Sequence, residues 1–202
     1  MNKPFWENTY KHKEYSTFGE PSTEVKQIAR RLKKSSKILD IGCGEGRHSI
    51  FLASLGFHVD AFDISENGIN KLKHIVKEKK LDINAKISSI TDYEFSNRYD
   101  FIIAHGVLHL IKREDWEPII DKIKTYTNIN GVNVIVVFID KIPIPEDLRE
   151  FCIGLFKDGE IKQKYNDWEI ELYKSYIFQD EHPGSIKHTH AVNKLVAWKR
   201  KV

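Results

Sequence analysis

The chain has few cysteines, no long apolar run and little net charge. Cys43 and Cys152 are its only cysteines, and their number and spacing indicate neither a disulfide framework nor a zinc knuckle. No apolar run approaches the ~18 residues of a membrane-spanning helix. Residues 1–6 lack the apolar core of a signal peptide. We therefore expect a cytoplasmic protein without a membrane partner.

The charge balance and the length restrict the function classes further. A net charge of +3 is too small to indicate a nucleic-acid partner, which calls for a clustered basic surface. The sequence contains no repeat or low-complexity tract. Its 202 residues suit one α/β domain, which we place at residues 1–202, with an N-terminal lid segment at 1–21 and the core at 22–202.

A glycine-rich segment at residues 37–47 is the most informative feature that is present. An apolar run there contains Asp40 near its end and is followed by Gly42, Gly44 and Gly46 at every second position. Glycine is needed where the backbone approaches a ligand closely or adopts a positive φ. The pattern predicts a strand, a tight turn and a helix, although a strand–turn–helix without a ligand could have the same glycines.

A second acid, Asp63, makes a cofactor site the better interpretation. It ends the apolar run at 57–62, close to the ~20 residues expected between a nucleotide-binding glycine turn and the carboxylate that binds a ribose. The glycine pattern is G-x-G-x-G, and Arg47 follows it where a dinucleotide-binding turn has its third glycine. The two features together predict a Rossmann-like site for an adenosine-containing cofactor other than a dinucleotide.

Apolar strands and amphipathic helices alternate along the rest of the chain. We predict strands at 37–41, 58–62, 84–88, 99–104 and 132–138. Helical faces are predicted around Val25–Leu32, 49–55, Ile69–Val76 and Trp116–Ile123. Pro118 is expected in the first turn of the last of these helices, and Asn130-Gly131 is expected to form a turn. Residues 139–155 read as a loop or a broken helix, and 168–176 and 190–199 as a hairpin. The alternation predicts a parallel sheet with helices on both faces, followed by antiparallel strands.

The whole chain resembles class I S-adenosylmethionine (SAM)-dependent methyltransferases, and among them most closely the bacterial tellurite-resistance methyltransferases. Four segments carry the resemblance: 40–49, 59–63, 99–102, and 156–161 with Tyr165 and Trp168 behind it. The resemblance implies a Rossmann-like sandwich with a seven-stranded, mostly parallel sheet and an antiparallel C-terminal hairpin. It also implies SAM as methyl donor, S-adenosylhomocysteine as product, and a small acceptor that is a soft nucleophile or oxyanion, such as tellurite, selenite or a thiol.

The resemblance also assigns cofactor-binding residues. They are Asp40, Gly42, Cys43, Gly44, Gly46, Arg47, Asp63, Ile64, Ser89, Ile90, His105 and Gly106. The glycines should line the methionine end, Asp40 should face its ammonium group, and Asp63 should accept both ribose hydroxyls. Ile64 should pack on the adenine, and His105 with its neighbour should border the sulfonium. Many relatives have an acid where this chain has Ser89, so a weaker or water-mediated adenine contact is expected there.

Histidines near the C-terminus are the candidates for the acceptor side. His182, His188 and His190 lie within nine residues, and with His105 they are the candidate catalytic residues. Three interpretations of the group stay open: histidines of a solvated turn, an anion-binding or basic group, and a metal site. His188 and His190 would share one face if a strand has begun there. We assign no metal.

Aromatic residues of the N-terminal segment are candidates for a lid. Tyr15 and Phe18 are the preferred contacts, whereas Trp6 and Tyr10 could equally be buried to anchor the segment. His109, after the fourth strand, could face the acceptor or cap the next helix.

Two other functions are compatible with the motifs. An RNA or protein methyltransferase is disfavoured by the short chain, the small net charge and residues 104–107, which are Ala-His-Gly-Val instead of Asn-Pro-Pro-Tyr or Asp-Pro-Pro-Tyr. A non-enzymatic SAM sensor would keep the glycine turn and Asp63 without an acceptor pocket. The small size permits a monomer or a weak homodimer.

Overall fold

The computed structural model describes residues 4–12, 19–181 and 187–201. Its helices are α1 Phe5–Thr9, α2 Thr23–Ala29, α3 Arg47–Ser54, α4 Glu66–Lys79, α5 Arg113–Tyr126 and α6 Glu160–Lys164, with short 3₁₀ helices at Leu108–Leu110 and Glu146–Leu148. Its strands are β1 Lys37–Ile41, β2 His58–Asp63, β3 Ile83–Ile87, β4 Tyr99–His105, β5 Thr127–Phe138, β6 Glu169–Asp180 and β7 His188–Trp198.

The strands form a seven-stranded sheet in the order β3-β2-β1-β4-β5-β7-β6. Strands β1, β2 and β3 pair in parallel, as do β4 and β5, whereas β7 pairs antiparallel with both β5 and β6. This arrangement confirms the predicted α/β fold class with its antiparallel C-terminal hairpin. The described residues fall into two compact units, one up to Glu94 with β1–β3 and α1–α4, and one from Phe95 on with β4–β7, α5 and α6.

Local signals explain several helix ends. The hydroxyl of Ser22 accepts a hydrogen bond from the Val25 N–H at 3.5 Å and caps α2. The hydroxyl of Ser65 does the same for α4, accepting from the Gly68 N–H at 3.0 Å. Helix α3 is followed by Gly56 at φ +86°, the left-handed conformation that favours glycine after a helix.

The structure corrects several details of the sequence prediction. Pro118 lies inside α5 and not in its first turn, because the helix already begins at Arg113. Strand β5 begins at Thr127, and the predicted turn at Asn130-Gly131 is an irregularity within it, with Asn130 at φ +64°. Extra residues there oppose a shorter stretch of β4, which is how a strand absorbs a turn-forming dipeptide. Residues 139–155 contain a 3₁₀ turn and an isolated bridge between Ile139 and Phe156.

Candidate cofactor site and histidine cluster

The turn between β1 and α3 requires its glycines. Gly42, Gly44 and Gly46 have φ values of +65°, +57° and +87°, which side chains disfavour. The Cys43 N–H between them donates to the Phe62 carbonyl at 3.0 Å, which extends the β1–β2 pairing into the turn. The thiol of Cys43 is buried. The motif therefore builds the turn that its sequence predicted.

The carboxylate of Asp63 is bonded directly to this turn. Its Oδ2 accepts from the Gly44 N–H at 2.8 Å, and its Oδ1 accepts from the Ser65 N–H at 2.8 Å. Burial raises the pKa of Asp63, and the two N–H donors oppose that rise. Each carboxylate oxygen has a further lone pair, so the group can still accept bonds from a bound hydroxyl.

Helix α4 packs against the turn so closely that only glycine fits at one point. A Cβ on Gly68 would lie 2.8 Å from the Gly44 carbonyl oxygen. Glu45 of the turn forms an ion pair with Lys71 of α4 at 2.7 Å, and both side chains are buried. These contacts were not predicted from the sequence, although a glycine within a helical pattern is a known signal of close approach.

Asp40, the residue before the last of β1, is buried and hydrogen-bonded. Its Oδ2 accepts from the Ser49 hydroxyl at 2.6 Å. Burial raises the pKa of Asp40 to about 6, although the Ser49 bond and the charge of Arg47 lower it. The carboxylate is therefore mostly ionised at pH 7. Its predicted contact with an ammonium group, directly or through water, stays a prediction.

The residues expected near an adenine differ in their surroundings. Ile64, after Asp63, is 75% exposed, which is unusual for an isoleucine and leaves its side chain available to a ligand. Ile90 is buried. The Ser89 hydroxyl contacts the Asp92 carboxylate at 2.7 Å and accepts from the Asp92 N–H at 3.1 Å. An acid thus lies beside Ser89, two residues after Ile90 and not at the position of Ser89 itself.

In the second unit, His105 is the last residue of β4, and Gly106 follows it. The Gly106 N–H donates to the Val136 carbonyl at 2.9 Å, with φ +80° at the glycine, and His105 is partly exposed. The contact of this pair with a sulfonium stays a prediction. His109, in the following 3₁₀ helix, is buried, and its Nδ1 accepts from the Phe138 N–H at 3.2 Å. The N-cap residue of α5 is Lys112, and the bond that the structure shows for the His109 ring is to β5, so the capping alternative for His109 is not supported.

A stack of aromatic rings holds two of the candidate histidines. Phe138 lies between His109 and His190, with centroid distances of 4.0 and 4.4 Å. His190 also contacts Phe178 and is 4% exposed, so the solvated-turn interpretation does not hold for this residue. Strand β7 already begins at His188.

The side chains of four candidate residues lie outside the part of the chain that the structure describes. Tyr15, Phe18 and His182 lie outside the described residues, and only the backbone of His188 is described. Within the described ranges, no group of three or more His, Cys, Asp or Glu side chains is arranged to hold a metal ion. No helix in the same ranges is both long and apolar enough to cross a membrane.

Comparison with known proteins places the chain among methyltransferases. The model of the family described as tellurite resistance protein TehB matches residues 5–193. The probable SAM-dependent methyltransferase TehB of Haemophilus influenzae is 32% identical over 165 residues, which cover 79% of this chain and 56% of that protein. The chain therefore spans little more than half the length of this curated relative.

Solved structures agree with that match. The crystal structure of TehB from Haemophilus influenzae has a TM-score of 0.79 at 28% identity, covering 89% of this chain and 63% of that one. The magnesium protoporphyrin IX methyltransferase ChlM of Synechocystis, solved with bound SAM, has a TM-score of 0.62 at 17% identity over 88% of this chain and 78% of that one. At that identity the second match shows the shared fold alone.

The first prediction concerns the middle glycine of the turn. Gly44→Val should raise the Kd for SAM at least about 10-fold, because a Cβ there would lie 2.4 Å from the Tyr10 hydroxyl oxygen and the turn would have to shift. Gly56→Val is a matched control, since Gly56 shares the left-handed φ but has open space around its Cβ position. Calorimetry should show near-normal affinity in the control; equal affinity in both variants would contradict this role for the turn.

The second prediction concerns His109. Burial and the neighbouring His190 lower its pKa to about 3, against ~6.5 in an unfolded chain. Between these values the unfolded state binds more protons, so the free energy of unfolding should fall as the pH drops below about 6.5. The loss by pH 5 should be about 2 kcal/mol from this group. Urea unfolding of His109→Gln should lack that component; identical pH slopes in variant and parent would contradict the burial argument.

Proposed function

The chain belongs to the tellurite resistance protein TehB family of class I SAM-dependent methyltransferases, and we propose from this premise that it transfers the methyl group of SAM to a small molecule. The membership confirms the family, the methyltransferase class and the cofactor predicted from the sequence. The acceptor and the activity of the whole protein are proposals, because the chain covers 56% of the length of the matched relative.

The bond between the Gly44 N–H and the Asp63 carboxylate carries the proposal for the cofactor site. This bond, 2.8 Å from the Gly44 nitrogen to the Asp63 Oδ2, joins the glycine turn to the acid that the motif predicts to bind the ribose. The remaining lone pairs of Asp63 would accept the ribose hydroxyls. The turn would receive the methionine end of the cofactor, with Asp40 on the side of its ammonium group, and the exposed Ile64 would cover the adenine.

Methyl transfer from SAM depends more on the position of the acceptor than on covalent catalysis by the protein. SAM supplies a methyl group on a sulfonium, which is a good leaving group. The chain must hold the acceptor in line with the S–CH₃ bond and keep water out. A base is needed only where the acceptor arrives protonated.

For the acceptor side we keep His105, His182, His188 and His190 as candidates. The partial exposure of His105 supports a direct role for it. The buried ring of His190, stacked on Phe138, is better suited to orienting a neighbour than to binding an anion itself. Tellurite, selenite and small thiols are the acceptors proposed from the resemblance. A non-enzymatic SAM sensor is the second candidate, because the described contacts of the glycine turn would serve it equally.

The location, the partners and the oligomeric state are proposed from the sequence alone. We propose a cytoplasmic location, no nucleic-acid partner, and a monomeric or weakly dimeric state. Gel filtration at several concentrations tests the last of these.

The third prediction tests cofactor use. Asp63→Ala should weaken SAM binding by on the order of 2–4 kcal/mol, because the ribose hydroxyls and the turn lose their acceptor. Asp82→Ala removes an exposed acid that binds His58 and serves as the control. In calorimetry the control should match the parent, whereas the Asp63 variant should bind little SAM.

The same variants separate an enzyme from a sensor. Incubation with labelled SAM and tellurite, selenite or small thiols should transfer label with the parent and with Asp82→Ala, and not with Asp63→Ala. Tight SAM binding by the parent without transfer to any of these acceptors would favour the sensor over a methyltransferase for such acceptors.

A further inference from the structure

Tyr10 touches the middle glycine of the cofactor turn. A Cβ built on Gly44 would lie 2.4 Å from the Tyr10 hydroxyl oxygen and 3.2 Å from its Cζ. The tyrosine side chain is 5% exposed. The hydroxyl group is therefore placed against the backbone that faces the proposed methionine end, in the space that the missing side chain of Gly44 leaves open.

The segment that carries Tyr10 is anchored beside the same site. Tyr10 directly follows α1, and Glu7 of that helix is bonded to Asn67 in the first turn of α4. Asn67 Nδ2 donates to the Glu7 carboxylate at 2.9 Å and to the Glu7 carbonyl at 3.4 Å. Because the Asn67 side chain is bonded to both the main chain and the side chain of Glu7, α1 is held against the first turn of α4, and Tyr10 directly follows α1.

The electrostatic surroundings of Tyr10 suit a cationic ligand. Burial raises the pKa of Tyr10, and the negative charges of Asp63, Glu45 and Glu7 raise it further. The phenol therefore stays protonated and neutral near pH 7. A neutral hydroxyl oxygen can accept a hydrogen bond from an ammonium group, and a phenol ring attracts a nearby cation through its face. The methionine part of SAM carries an ammonium and a sulfonium.

We infer that Tyr10 is a cofactor-binding residue that covers Gly44 and contacts the amino-acid portion of SAM. The inference rests on the proposed function, because it takes the glycine turn as the methionine end of the site. The two roles that the sequence left open for Tyr10 are compatible, since its burial anchors the segment and its hydroxyl lies beside the turn. The bond between Glu7 and Asn67 positions Tyr10 for that contact.

The fourth prediction uses ligands that differ in the amino-acid portion. Tyr10→Phe should raise the Kd of SAM and of S-adenosylhomocysteine at least about 10-fold, the usual effect of losing one hydrogen bond to a charged group. The Kd of 5′-methylthioadenosine, which lacks the amino-acid portion, should not change. Asn67→Ala should produce the same selective pattern, because it releases the segment that holds Tyr10. Calorimetry measures all three ligands.

Tyr165→Phe is the matched control. Tyr165 is also buried, and its hydroxyl accepts from Asn133 Nδ2 at 3.2 Å in the second unit. This variant should bind all three ligands like the parent, and thermal unfolding should show that both Phe variants are folded.

Three outcomes would overturn the role of Tyr10 while leaving the proposed function intact: unchanged Kd values in Tyr10→Phe, an equal loss for all three ligands, or tighter SAM binding in Tyr10→Ala. The second would show a structural role alone, and the third would show that the ring blocks the site. A parent protein that binds neither SAM nor S-adenosylhomocysteine would overturn the proposed function itself and this inference with it.

Discussion

The hydrogen bond from the Gly44 N–H to the Asp63 carboxylate is the contact on which the candidate site depends. It connects the end of β2 to the turn after β1, at 2.8 Å. With the Ser65 N–H on its other oxygen, Asp63 is held in one orientation by two backbone donors. Parallel strands bring such loops to the same edge of a sheet, which is where open α/β folds bind their ligands. A single acid therefore positions the turn and keeps lone pairs for a ligand.

Helix α4 packs against the turn through close contacts that a larger side chain would disrupt. Gly68 lies against the Gly44 carbonyl, and the Glu45–Lys71 pair is buried beside it. A buried ion pair adds little net stability, but the loss of one partner leaves an uncompensated charge. The pair is therefore better understood as a constraint on the shape of the turn than as a source of stability. Tyr10 encloses the same turn from the N-terminal side.

Periodicity and glycine spacing were sufficient to predict the alternation of strands and helices, and the family resemblance added the seven-stranded sheet. Buried strands such as β4 are continuous apolar runs, and the G-x-G-x-G turn has a backbone that only glycine adopts readily, so both are visible in the sequence. The family, confirmed by the match over residues 5–193, was recognisable from short motifs for the same reason. Contacts between distant residues were not predictable. Nothing in the sequence pairs Tyr10 with Gly44 or Phe138 with two histidines, because such contacts depend on packing and not on local pattern.

Titration calorimetry of the unmodified protein with SAM and, separately, with NAD tests the central claim most directly. A turn of the form G-x-G-x-G, with Asp63 bonded to Gly44, should bind SAM at one site with a Kd in the micromolar range as an order of magnitude. Under the same conditions NAD should bind weakly or not at all, because Arg47 stands where a pyrophosphate-binding turn has its third glycine. Tight binding of NAD without binding of SAM would contradict the account.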